Sequence, residues 1–125
     1  MNMILLTFYK HKKYITVKEN EISFYIRKSI FSIYNELGPG LLEKVYEKVL
    51  MLELESHGLE VRNQVPMSIK FRDTIIDSNF VADIIVENKV IIEIKSIQEI
   101  GEVHHKQLLT YLKLSDMKLG ILVNF

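Results

Sequence analysis

Apolar residues along the chain change their spacing several times, and the changes mark out its elements. Ile22, Ile26, Ile30, Ile33 and Leu37 recur at helical spacing. Just before them, Thr16-Val17-Lys18-Glu19 has the Ser/Thr-x-x-Glu form of a capping box. The pattern predicts a first helix ended by Gly38-Pro39-Gly40, because glycine accepts a left-handed C-cap and proline cannot continue the hydrogen-bonded ladder. A second helix is expected from near Leu41 to about His57, with Leu42, Val45, Val49 and Leu52 on its buried stripe and Gly58 as its stop. Glu43, Tyr46 and Leu50 follow one another a turn apart along the edge of that stripe, which puts Glu43 at the boundary between core and cleft. Taken on the helix alone, Glu43 also suits a first-turn glutamate facing the positive end of the macrodipole.

From Val65 the period falls to two. Val65, Met67, Ile69 and Phe71 alternate with Pro66, Ser68, Lys70 and Arg72, predicting a half-exposed strand. Pro66 cannot donate to a ladder, which favours a sheet edge or the start of pairing. After a turn at Arg72-Asp73-Thr74, the stretch Phe80–Ser96 reads FVADIIVENKVIIEIKS: two Val/Ile-rich runs joined by Glu87-Asn88-Lys89. Asparagine tolerates the left-handed conformation a short loop needs, and the pattern predicts a β-hairpin covered on both faces. A third helix is expected from about Glu102 to Leu114. Leu108, Leu109 and Leu112 would face the sheet, and His104, Gln107 and Tyr111 would form a separate polar face. A last strand covers Lys118–Phe125. Residues 1–15 fit no clear pattern and read as a loosely attached extension or an added strand. The expectation is one α/β domain over residues 16–125, in the order helix, helix, three strands, helix, strand.

Strand parity gives the hairpin its chemical interest. Side chains two apart share a face, so Glu93 and Lys95 point one way and Ile92 and Ile94 the other. With a three-residue loop closed by Val86 and Val90, Asp83 falls opposite Glu93. Two carboxylates then stand about 5 Å apart at their Cβ atoms, an arrangement that repels unless something positive lies between them. A divalent cation resolves it, and Lys95 adds a fixed positive charge beside a water nucleophile or an anionic transition state. The plainer reading is a cross-strand ion pair on an outward face. An even-length loop would put Asp83 on the wrong side. His104 and His105 read as solvent-side residues at a helix start, and Tyr46 as a core residue with its hydroxyl at a polar rim.

Composition narrows the picture modestly. The 125 residues carry no net charge, and nearly half are apolar. That matches a soluble globular domain and supplies no general electrostatic attraction for nucleic acid; any such attraction must be local or come from bound metal. The basic cluster Lys10-His11-Lys12-Lys13 is read as solvated surface, with phosphate contact as the alternative. The absence of cysteine removes disulfides, thiolate metal sites and thiol nucleophiles, and fits a reducing cytoplasm. The apolar run in Met1–Tyr9 is too short for a transmembrane span and has the wrong flanks for a signal peptide, so no membrane association is expected.

The order of elements, with an Asp on the second strand, Glu-x-Lys on the third and a glutamate on a preceding helix, resembles the PD-(D/E)XK nuclease superfamily. More narrowly, Gly40-Leu41-Leu42-Glu43-Lys44-Val45-Tyr46 resembles the motif of the GxxExxY protein family, and the resemblance runs from about Glu21 to Phe125. Gln107-x-x-x-Tyr111 is similar to the extra motif of the superfamily's RecB-like branch. The resemblance implies a restriction-endonuclease-like core with a mixed sheet flanked by helices. It also implies Mg²⁺ or Mn²⁺ held by Asp83, Glu93 and the main-chain carbonyl of Ile94, with Lys95 acting on water. Glu43 would complete the acidic cluster, and Gln107 and Tyr111 would orient the site or contact the backbone of nucleic acid, most readily DNA. The superfamily's Pro-Asp pair reads Ala82-Asp83 here. A small nuclease core of this kind often works as a homodimer. A module that keeps the fold and only binds nucleic acid or protein is the alternative.

Overall fold

The computed structural model describes residues 3–125, apart from the side chain of Lys12. Its elements are β1 (Ile4–Tyr9), a 3-10 turn (Lys12–Tyr14), α1 (Val17–Leu37), α2 (Glu43–Ser56), β2 (Val61–Phe71), β3 (Thr74–Val86), β4 (Val90–Lys95), α3 (Glu102–Leu114) and β5 (Leu119–Asn124). The five strands form one sheet in the order β1-β5-β4-β3-β2. β4 and β5 run parallel, joined by the α3 crossover, and the other neighbours are antiparallel. On one face α1 and α2 cover Ile84, Val86, Ile92, Ile94, Ile121 and Val123. On the other, Leu108 and Leu112 of α3 pack against Ala82, Ile85, Ile91 and Leu122. Cover on both faces explains why β4 and β5 carry apolar residues on both faces, with Glu93, Lys95 and Asn124 as the polar exceptions toward their ends.

The capping box at α1 forms as the sequence predicts: Glu19 N–H donates to Thr16 Oγ1 (3.2 Å) and Thr16 N–H to Glu19 Oε1 (2.9 Å). Ile22, Ile26, Ile30 and Ile33 are buried. Leu37 is exposed, because the helix ends there as Gly38 turns the chain away with a φ of 70°. The expected stripe of α2 is corrected. Tyr46, Leu50 and Leu54 are buried, whereas Leu42, Val45 and Leu52 are exposed and Val49 is half-buried. α2 carries apolar residues at almost every angle, so periodicity alone does not choose among its faces. Phe125 does, by stacking on the Tyr46 ring at 4.1 Å between centroids. On α3, likewise, Leu108 and Leu112 face the sheet but Leu109 is exposed.

β2 lies at a sheet edge, where Pro66 costs no interior hydrogen bond. Its alternation reaches the core only as far as Met67. A register shift follows between Met67 and Ser68, and beyond it Phe71, Ile75 and Ile76 stand exposed on a hairpin arm turned at Arg72, φ 55°. At the other edge β1 pairs with β5 from Ile4↔Asn124 to Tyr9↔Leu119. Of the two readings for residues 1–15, the described part forms an added strand. Lys10, in the basic cluster, is engaged internally through Nζ to Ser115 O (2.8 Å).

Candidate active site

The β3–β4 hairpin turns through Glu87 and Asn88, both with φ of 53°, and Lys89 N–H donates to Val86 O (2.9 Å). Rungs follow at Val86↔Val90, Ile85↔Ile91 and Ile84↔Ile92. The next rung would set Asp83 opposite Glu93, and there the backbone ladder stops. Side chains take over: Asp83 N–H donates to Glu93 Oε1 (3.2 Å) and Ile94 N–H donates to Asp83 Oδ2 (2.8 Å). Asp83 is also released on its other side, since the β2 ladder pairs Asn63↔Ile84 and Val65↔Ala82 but skips Gln64, whose φ is 49°.

This release slips the alternation of β3. Ala82 and Ile85 both pack on the α3 side, although strict alternation would put Ala82 with Ile84 on the other. Asp83 instead lines a cleft of about 160 Å³ with Glu43, Lys44, Glu47, Gln64 and Ile94, on the side of α2. Glu93 keeps its place on a regular strand and is only 7% exposed. The two carboxylates therefore meet through reciprocal side-chain-to-backbone bonds where the ladder opens, rather than across a regular rung.

Burial acts on both acids. It pushes the Glu93 carboxyl up to about 8; the neighbouring Asp83 charge and, more weakly, Glu43 push the same way, while the Asp83 N–H and Lys95 pull it down. Asp83 is also raised, first by burial and then by Glu47, against the opposing effects of the Ile94 N–H, Lys95 and Gln64. No Lys or Arg makes an ion pair with either acid among the described residues, where the ion pairs present are His57–Glu53 and Lys106–Glu102 on helix surfaces. Two raised carboxyls sharing one corner favour a proton or a cation between them.

The start of α2 is tied to the end of β4. Ser96 N–H donates to Glu43 Oε2 (3.2 Å), and Ser96 Oγ donates to Leu41 O (2.7 Å). The Tyr46 hydroxyl, fully buried, donates to Gly38 O (2.5 Å) and accepts from Leu41 N–H (3.2 Å), holding the loop that delivers Glu43. Asn124 fixes the chain beyond β4 by bonding Ile97 at both N–H and carbonyl (2.9 Å each). Thus Glu43, Asp83, Glu93 and Lys95 come together, with Ile94 between the last two.

Gln107 and Tyr111 are not joined to this group by any described contact. Gln107 is exposed and its side chain makes no hydrogen bond among the described residues, and Tyr111 stacks on Phe80 at 3.9 Å between centroids. Two other residues enter instead. Gln64 Nε2 donates to Glu47 Oε1 (2.6 Å) and, at 3.4 Å, to Asp83 Oδ1. Glu47 lies one turn after Glu43 on the same helical face, a spacing that would have identified it. Gln64 gave no such signal, because its part depends on the missed rung.

Among the described residues no three Asp, Glu, His or Cys side chains converge closely enough to hold a metal ion alone. The donors present are the adjacent Asp83 and Glu93 carboxylates and main-chain oxygen at Ile94. These suit a hard cation that keeps several waters, and a cation would relieve the upward pressure on both acids.

A five-stranded mixed sheet with helices on both faces and acids where its central hairpin opens defines a restriction-endonuclease-like α/β protein. The chain belongs to the PD-(D/E)XK nuclease superfamily, whose family model matches residues 20–125. No curated protein and no solved structure matches it. No helix among the described residues is long and apolar enough to cross a membrane.

Proposed function

We propose that the protein is a divalent-metal-dependent nuclease of the GxxExxY type that hydrolyses phosphodiester bonds in DNA in the cytoplasm. The observation carrying this reading is the reciprocal Asp83–Glu93 pair, two raised carboxyls held together at one strand opening with Lys95 acting on both. Asp83, Glu93 and the Ile94 carbonyl would hold Mg²⁺ or Mn²⁺, which supplies Lewis acidity and a more acidic bound water. Lys95 contributes positive charge to the phosphorane-like transition state and orients the attacking water. Glu43, anchored on Ser96, sets the outer wall of the acidic cleft, and Gln64 orients Asp83. Gln107 and Tyr111 contact the substrate backbone from α3.

A second reading, a binding module that keeps the fold without catalysis, draws on the fact that only two carboxylates meet closely and on the zero net charge. Calorimetric titration separates them. The nuclease reading predicts heat on adding Mn²⁺ to the wild type and none with Asp83→Ala; a wild type that gives no heat favours the binding module.

A further inference from the structure

The outer face of α1 carries an apolar ridge that the fold does not use. Val17, Phe24 and Phe31 are 78%, 56% and 51% exposed. At 100° per residue they lie within about 40° of one another, diametrically opposite the buried Ile22, Ile26, Ile30 and Ile33. A surface helix is expected to be polar on that side. The ridge also holds two charges, Glu21 and Lys28, giving the order Val17, Glu21, Phe24, Lys28, Phe31 with steps of four, three, four and three. Neither charge has an ion-pair partner among the described residues, and two turns separate them, too far to pair within one helix.

We propose that this ridge is a two-fold interface between copies of the chain, made by antiparallel packing of α1 on α1. The pattern is self-complementary in that direction. A two-fold axis at Phe24 sets Phe24 once against its own copy, and Val17 toward Phe31 and Glu21 toward Lys28, these last two pairings each occurring twice. Parallel packing would set Glu21 on Glu21 and Lys28 on Lys28, so charge selects the antiparallel form. A surface depression of about 430 Å³ lined by Val17, Asn20, Glu21, Phe24 and Tyr25 lies where Phe31 of the second copy would arrive. The proposal is independent of the nuclease reading, since the ridge holds none of the site residues.

The test is sedimentation equilibrium of the full chain, 14.7 kDa as a monomer, from about 1 to 100 µM. The wild type is expected to show a monomer–dimer equilibrium with twice that mass at the top of the range. Phe24→Asp should weaken association at least about tenfold with an unchanged circular-dichroism spectrum. Lys28→Glu should weaken it as well, and the double exchange Glu21→Lys with Lys28→Glu should restore it, a result that stands even if Phe24→Asp fails to fold. A wild type that stays monomeric at 100 µM overturns the proposal. So does a dimer indifferent to Phe24→Asp, or one that the double exchange does not restore.

Discussion

Asp83 and Glu93 form a pair whose proximity was legible in the sequence, because an odd loop at Glu87-Asn88-Lys89 dictates which residues oppose each other. How they meet was not. The missed rung at Gln64, whose φ is 49°, and the slip in β3 that goes with it are departures from regular pairing that no alternation pattern records. Glu93 yields a prediction whose sign is opposite to ordinary acid denaturation. Its carboxyl titrates near 4.5 when exposed and near 8 in the fold, so between those values the folded state holds a proton the unfolded state releases. Its stabilisation is complete below pH 4.5 and is lost as pH rises to about 8. Metal-free Glu93→Gln should therefore melt about 5 °C above the wild type at pH 8.5, with the gap closing toward pH 4.5. Added Mg²⁺ should raise the melting temperature of the wild type at pH 8.5 but not that of the variant. Melting curves that show no pH-dependent gap contradict the assignment.

At the scale of elements, α2 shows why the site is only partly readable. The helix itself was plain, but its buried face was misplaced, since nothing local reports that Phe125 will stack on Tyr46. The consequence reaches the site, because the Tyr46 hydroxyl holds the loop before Glu43. Tyr46→Phe leaves the stacking and removes two buried hydrogen bonds. It should cost about 1–3 kcal/mol in urea unfolding and lower cleavage by roughly tenfold through a mobile Glu43. An unaltered rate would show that the loop does not position the glutamate. On the opposite face, Gly120 lets α3 approach β5: an added Cβ would meet the Cδ1 atoms of Leu108 and Leu112 at 3.1 Å. Gly120→Ala is expected to destabilise by about 1–3 kcal/mol through overpacking, read from the same unfolding midpoints, with metal binding retained.

For the molecule as a whole, the order of helices and strands came through because the apolar spacing changes from one element to the next, and Pro66 already favoured an edge for β2; the other edge did not come through. β1 was ambiguous in sequence since its short apolar run has no clear alternation, yet it pairs along the whole of β5. Removing residues 1–9 would uncover that strand, so the truncated chain should melt several degrees lower and aggregate more readily at equal concentration, as light scattering would register. Gln107 and Tyr111 belong to this scale as well: they sit on α3, over the sheet face that Glu93 shares with Ile91 by strand parity, whereas Asp83 lines the cleft beside α2. The strand opening at Asp83 and Glu93 is proposed as the seat of metal-dependent phosphodiester cleavage. Its most direct test is incubation of the purified chain with single- and double-stranded DNA, and with RNA, in the presence of Mg²⁺ or Mn²⁺, alongside Asp83→Asn, Glu93→Gln and Lys95→Ala. Metal-dependent cleavage of DNA is expected, falling at least about a hundredfold in each variant. Absence of cleavage on every substrate, or cleavage that survives in all three variants, would contradict it.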